Sequence, residues 1–250
     1  MTMQRASLRS ATTWKAEPQR ELEPLTPKTL VDQAVEAIIH AAATGVFLPG
    51  DRVVEAEVAR RLNVSRVPIR EALRLLESQG ILVNVPYRGM RLMEVDAGRL
   101  RKILEVRLAL ETFAAFKLQD MCKSDPETVA PLDRVCTNLA DAAKRKDTYG
   151  IAIYDAQFHR TLCSLTGNEV LVNTWEPLSN QLTIIFGLAT LQIDMQSIAQ
   201  EHFDLTELIR SGRKKELEAN LRLHILDSPQ SIDFDALVAR REASAAKKKR

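Results

Sequence analysis

Apolar residues recur at three- and four-residue intervals over most of the chain, the period of helices packed on one side. Leu30, Val31, Ala34, Val35, Ile38 and Ile39 form one such face and predict a helix over 28–44, stopped at Gly45. Val58, Ala59 and Leu62 predict a shorter helix over 55–63, and Ile69, Ala72, Leu73 and Leu76 a third over 65–79. Only Asn63-Val64 separates these two, and short helices joined by a tight turn make a helix-turn-helix. Leu48-Pro49-Gly50-Asp51 reads as a turn and Arg52-Val53 as a short strand. After Gln79-Gly80 the period shortens to two. Ile81–Val85 and Met90–Met93 alternate as strands around Pro86-Tyr87-Arg88-Gly89, a hairpin placed where a wing belongs. Beyond Val95 the helical period returns and predicts helices over about 97–119, 125–144, 148–166, 168–192, 195–211 and 213–228.

The pattern defines a mainly α protein. A winged helix-turn-helix over 28–95 precedes an all-helical antiparallel bundle over 97–230. Residues 1–27 lack periodicity and read as a flexible arm, in which Trp14 stands alone, and 231–250 form a basic tail ending Lys247-Lys248-Lys249-Arg250. Composition narrows the class. A hydrophobic content of 45% with 27% charged residues is that of a globular protein, and few aromatics and nine glycines suit helices better than a large sheet. A net charge of +2 excludes a uniformly basic nucleic-acid protein but not a locally basic surface. Cys122, Cys136 and Cys163 are scattered, without metal-type spacing, and read as reduced core thiols of a cytoplasmic protein. The longest apolar run, Ile184–Leu191, is too short to span a bilayer, and no secretory leader is visible, so no membrane partner is expected.

The helix over 65–79 carries candidate chemistry. Ser65 stands at the N-cap, where its hydroxyl is expected to accept from a first-turn amide, and Pro68 suits the first turn. Arg66, Arg70 and Arg74 form a basic stripe opposite the apolar face, as a helix in the DNA major groove requires, though a solvated surface would look the same. Arg88 at the hairpin tip can reach a phosphate or the minor groove.

A second constellation lies in the helical half. Asp155 and His159, four apart, border the buried stripe Ile151, Tyr154, Phe158, Leu162. His202 falls in the stripe with Ile198, Leu205 and Ile209, and His224 borders Leu217, Leu221 and Ile225. Each histidine alone reads as a hydrogen-bonded core residue. Together, one carboxylate and three imidazoles from three helices point to a divalent metal, zinc first, with nickel or manganese as alternatives. Arg107 shares a face with Ile103, Leu110 and Ala114 and needs an anionic partner: Glu111 four residues on, or the carboxylate of a small effector. Asn173, Trp175, Asn180 and Gln181 could line such a pocket, with packing or surface as the plainer reading of each.

Leu48-Pro49-Gly50-Asp51-Arg52, Asn63-Val64-Ser65-Arg66-Val67-Pro68-Ile69-Arg70-Glu71-Ala72-Leu73, Leu76, Gly80 and Arg88-Gly89 resemble, in order, the winged helix of GntR-family bacterial transcription regulators. Glu105–Glu111, Asp155–Leu162, Gly167-Asn168, Glu201-His202 and His224 resemble the FCD ligand-binding domain of the FadR-type subfamily, with a helix number similar to its VanR-like branch. The resemblance implies operator contacts at Ser65, Arg66, Val67, Arg70, Arg88 and Gly89. It implies a metal on Asp155, His159, His202 and His224, and an organic-acid or sugar-acid effector at the metal with Arg107 on its other end. Ala56 stands where some relatives carry a further arginine, and apolar Val67 could meet a thymine methyl. The implied protein is a homodimer on double-stranded palindromic operator DNA, acting as a ligand-controlled repressor. The rival readings are a metal-dependent hydrolase or lyase and a pure metal sensor. Against the enzyme, no further base accompanies the Asp/His set, and the N-terminal half would have no purpose.

Overall fold

The structure, a computed structural model, describes residues 28–189, 195–229 and 239. The predicted arm over 1–27, with Trp14, and the basic run 247–250 lie outside the described residues. Helix α1 (Leu30–Ala43) starts at a reciprocal cap, in which Thr29 accepts from the Asp32 amide while Asp32 accepts from the Thr29 amide. Helices α2 (Glu55–Leu62) and α3 (Arg66–Ser78) are joined through Asn63 in a left-handed conformation (φ 54°), which asparagine tolerates better than most residues. Strands β1 (Leu82–Val85) and β2 (Gly89–Leu92) pair antiparallel, Leu82 opposite Leu92 and Val85 opposite Gly89. Arg52 forms a single bridge to Arg91 instead of a strand of its own.

Ser65 occupies the N-cap position of α3, but its side chain makes no capping bond. The reason lies in the sequence. A cap hydroxyl accepts from the second or third helical amide, and the third residue here is Pro68, which has none, so only the Val67 amide is left to it and one of the two usual cap bonds is lost.

The helical half comprises α4 (Ala97–Cys122), a 3-10 turn (Pro126–Val129), α5 (Ala130–Lys144), α6 (Thr148–Ser164), α7 (Glu169–Ala189), α8 (Met195–Ser211) and α9 (Lys214–Arg222). The last helix continues as a π turn over Leu223–Asp227, and the predicted helix over 125–144 opens with the 3-10 turn. Pro177 lies inside α7. Among the described residues no helix is long and apolar enough to cross a membrane. All three cysteines are buried and unpaired.

The buried side chains do not divide at the junction near residue 96. One cluster joins Ile38, Ile69, Leu76 and Leu92 of the winged helix to Leu100 and Leu104 of α4 and to Leu182, Ile185 and Leu188 of α7. A second joins α4 to α9 around Phe158, Leu162, Trp175, Leu205 and Ile225. Helices α4 and α7 contribute to both. Each fully buried Ile or Leu stabilises by roughly 1.5–3 kcal/mol, so the winged helix is seated on the bundle by apolar packing and not by a tether. The two halves approach closely at Gly187, where an added Cβ would stand 2.7 Å from the Ala43 Cβ and 3.0 Å from its carbonyl oxygen. Polar bonds finish the seam. Arg99 Nη2 donates to the Gly80 carbonyl (2.9 Å) and to Gln181 Oε1 (2.9 Å). Gln181 Nε2 donates to the Gln79 carbonyl (2.7 Å), and Asn180 Nδ2 to Gln79 Oε1 (3.0 Å). His40 stands edge-on to Tyr149 across the same seam.

Candidate functional site

On the winged helix, Ile69, Ala72, Leu73 and Leu76 bury one face of α3 and so fix the other outward. Ser65, Arg66, Val67 and Arg70 are exposed there, with Val67 at 67%. The two arginines are not loose. Arg66 Nε donates to Glu55 Oε1 (2.8 Å), Arg70 Nε to Glu55 Oε2 (3.0 Å) and Arg70 Nη2 to Glu55 Oε1 (3.1 Å). The Arg70 hydrogen bond pulls the Glu55 carboxyl below its ordinary value against the opposing effect of burial, and Arg66 adds to the pull. Arg88 is exposed at the wing turn, next to the fully exposed Tyr87 (φ 62°) and Gly89 (φ 78°). Arg52 lies against Gly89, its Nε 3.4 Å from where a Cβ would be, and places another cation at the wing. Arg52 and Glu55 escape a reading of helix α3 alone, because they come from the segment before it.

The structure brings Asp155, His159, His202 and His224 together, with one potential ligand atom of each within 4.8 Å of the others. Helix α6 supplies the first two by i,i+4 spacing, α8 supplies His202, and the π turn supplies His224. A π turn holds one residue more per turn than an α-helix and is often found at functional sites.

Each imidazole is oriented from behind. His202 Nδ1 lies 2.7 Å from the Ile198 carbonyl, which can only accept, so Nδ1 carries the proton and Nε2 a lone pair. His224 Nδ1 donates to Glu201 Oε2 (2.8 Å), and His159 Nδ1 lies 2.6 Å from Glu111 Oε2. The three Nε2 atoms therefore face inward. His224 Nε2 is 3.3 Å from His159 Nε2, His202 Nε2 is 3.3 Å from Asp155 Oδ1, and His159 Nε2 is 3.9 Å from the same oxygen. Two lone pairs at van der Waals distance repel unless a cation lies between them. A divalent ion held at ~2.0–2.1 Å separates neighbouring tetrahedral ligand atoms by roughly 3.4 Å, close to the spacing observed. Burial holds His159 well below its ordinary value of 6.5, with Arg107 adding to the effect, and it lowers His224 against the opposing Glu201 bond. Burial would raise Asp155, but the polar surroundings supplied by His202, His159 and the Arg107 guanidinium outweigh that and hold the carboxyl far below its ordinary value. Neutral imidazoles with one carboxylate are the donor set a divalent metal needs.

Behind this set stands a buried hub. Glu111 is 0% exposed, and its Oε1 accepts from Arg107 Nε (2.7 Å) and Trp175 Nε1 (2.7 Å). Of the two partners the sequence left open for Arg107, the structure therefore contains Glu111. Burial raises the Glu111 carboxyl against the pull of Arg107 and Trp175. A metal on His159 Nε2 would keep the proton of the 2.6 Å contact on Nδ1. Arg107 Nη2 and His202 Nε2 are two of the four buried side-chain nitrogens without a hydrogen-bond partner among the described residues. Of the four residues suggested as pocket lining, Trp175 joins the hub, Asn180 and Gln181 turn to Gln79, and Asn173 is exposed. Glu201 and the Ile198 carbonyl are supports that sequence spacing did not reveal.

A winged helix with an outward basic helix, sharing a core with a bundle that holds an Asp/His cluster, is the architecture of a DNA-binding regulator with a sensory half. Residues 30–92 match the bacterial regulatory proteins of the gntR family and residues 102–227 the FCD domain. The chain belongs to the GntR family of transcriptional regulators, in its FCD-containing form. It is 35% identical over 158 residues to an uncharacterized HTH-type transcriptional regulator in the TAR-I ttuE-ttuC' intergenic region of Agrobacterium vitis, covering 62% of this chain and 92% of that one. It is 25% identical over 201 residues to the "Probable D-xylose utilization operon transcriptional repressor" of Paenarthrobacter nicotinovorans, covering 80% and 88%. The solved structure of E. coli McbR/YncC shares the fold, with a TM-score of 0.66 at 19% identity over 89% of this chain and 99% of that one. Membership of a family of regulators sets aside the hydrolase or lyase reading.

Proposed function

We propose that the protein is a cytoplasmic repressor that binds a palindromic operator as a homodimer, released by a small organic or sugar acid held at a divalent metal. Arg66 and Arg70 read bases, with Ser65 and Val67 beside them and Arg88-Gly89 at the minor groove. Asp155, His159, His202 and His224 hold the ion, zinc first, with nickel or manganese as alternatives. When bound, the metal supplies a Lewis-acid site for effector oxygens, and Arg107 takes the opposite anionic end. The observation that carries this reading is the pair of unpartnered buried nitrogens, His202 Nε2 and Arg107 Nη2, one on a ligand and one on the neighbouring arginine. A cation satisfies the first and an anion the second. Repression as the sign of regulation follows the name of the Paenarthrobacter relative.

Metal analysis of the purified protein, followed by titration onto a duplex selected from random sequence with and without small acids, tests the reading. About one equivalent of metal per chain and acid-induced release are expected. Metal-dependent DNA binding with no response to any acid would instead make the ion itself the signal. Arg66→Ala should cost about 1–3 kcal/mol of discrimination between the selected site and a scrambled duplex. An unchanged preference at fixed salt would refute its role.

A further inference from the structure

Glu55 is the first residue of α2, 11 positions from Arg66 and 15 from Arg70. Its carboxylate nevertheless binds both. The mode of binding matters. Arg66 spends only Nε, so its outer edge, Nη1 and Nη2, stays available, and Arg70 spends Nε and one Nη2 hydrogen, keeping Nη1. The outer edge is the part of a guanidinium that grips guanine O6 and N7 with two parallel bonds. Arg74, further along the stripe, pairs with Glu71 on its own helix and not with Glu55. A carboxylate at this position is repelled by any DNA backbone, so it is a poor choice for affinity and a good one for selectivity.

We infer that Glu55 is a specificity-determining positioning residue. It clamps Arg66 by Nε and Arg70 by Nε and one Nη2 hydrogen, so that the remaining N–H groups of both guanidinium groups meet base edges in one register, and its charge penalises binding to backbone alone. The inference rests on the reading of Arg66 and Arg70 as base contacts.

Its test uses the full chain, a duplex selected by the wild-type protein and a scrambled duplex of equal length, with affinities measured by fluorescence anisotropy over a salt series. Glu55→Gln should bind scrambled DNA more tightly and the selected site no better, lowering the ratio of the two affinities about tenfold. Glu55→Asp keeps the charge but draws the carboxylate back from the arginines, and should lose the ratio as well. If Glu55→Asp keeps the wild-type ratio, or Glu55→Gln raises both affinities alike, Glu55 acts only as a charge and the inference is overturned. Equal weakening on both duplexes with a lowered melting temperature would make its role structural and also overturn it. Arg66→Ala separates the two failures. If it lowers the ratio while the Glu55 variants do not, only the clamp is wrong, and if it leaves the ratio unchanged the base-contact reading falls and the clamp with it.

Discussion

Glu111→Gln tests the hub beneath the Asp/His cluster and the proposed metal site. The amide is nearly isosteric, so Oε1 can keep accepting from Arg107 Nε and Trp175 Nε1, at 2.7 Å each in the wild type. The second position becomes an NH2 facing His159 Nδ1 across a 2.6 Å contact. Two donors cannot share that line, so His159 must take its proton on Nε2, the atom needed for the metal. Loss of such a support lowers metal affinity by about 10–100-fold, or ~1.4–2.8 kcal/mol. The substitution also removes the counter-ion of Arg107, which is 2% exposed. Breaking a buried pair costs about 3–5 kcal/mol, which at ~2–4 °C per kcal/mol lowers the melting temperature by roughly 6–20 °C. Isothermal titration with Zn²⁺ and differential scanning calorimetry read the two effects separately. Adding Arg107→Met should restore much of the stability, because an apolar replacement of a buried pair is often neutral, but not the metal affinity. Wild-type metal affinity in Glu111→Gln would refute the tautomer argument, and restored affinity in the double variant would refute the separation of the two roles.

The remaining expectations are narrower. Burial lowers His159 and His224 below 6.5, so below that pH the unfolded chain takes up protons the native state resists. The metal-free protein should lose up to about 1.4 kcal/mol per pH unit for each histidine on acidification, partly offset near the acid end by Glu111, whose carboxyl burial raises from 4.5. Urea melts of chelator-treated protein that show no loss below pH 6.5 would refute this. Gly187→Ala drives a methyl into Ala43, at 2.7 Å from its Cβ, and should destabilise by ~1–3 kcal/mol; a neutral denaturation midpoint would mean that α1 and α7 separate freely. Gln181→Ala removes the bonds to the Gln79 carbonyl and to Arg99. It should weaken the response of DNA binding to metal or acid while leaving metal affinity intact, as paired titrations would show.

The winged helix was readable because each turn is set by local chemistry: Asn63 in the left-handed region, Gly80 after α3, Gly89 at the hairpin. The Asp/His set was readable because its residues border or lie on apolar stripes whose helical period is strong. Its supports were not. Glu111 looks like half of an ordinary i,i+4 pair with Arg107, and its other partners, His159 and Trp175, come from 48 and 64 residues away. No residue type announces a π turn, so the placement of His224 depends on packing of the last turn. The Ser65 cap failed on a local rule, the missing amide of Pro68. For Asn180 and Gln181 the sequence offers both a pocket and ordinary packing, because the direction of a helix face cannot be read without its partner, and the packing against Gln79 is what the structure contains. Gly187, on the same helix, leaves room for Ala43 of α1.

Helix α7 touches both halves and would carry any signal the proposed switch sends between them. Trp175 touches the Glu111 hub at one end, and Asn180 and Gln181 hold the C-terminal end of α3 at the other. From Trp175 to Gln181 the helix rises only about 9 Å at 1.5 Å per residue, and Pro177 between them removes one of its internal hydrogen bonds. A ligand can shift α3 only by as much as it binds one arrangement better than the other. Three hydrogen bonds cross to Gln79 and Gly80, from Asn180, Gln181 and Arg99. At about 1 kcal/mol net each, they are worth ~3 kcal/mol, short of the ~5.5 kcal/mol that carries a population from 1:99 to 99:1. A relay confined to these bonds could therefore change operator affinity by no more than roughly 150-fold. A larger response would require the Gly187–Ala43 packing to slip as well, because that apolar seam is the other store of energy between the halves.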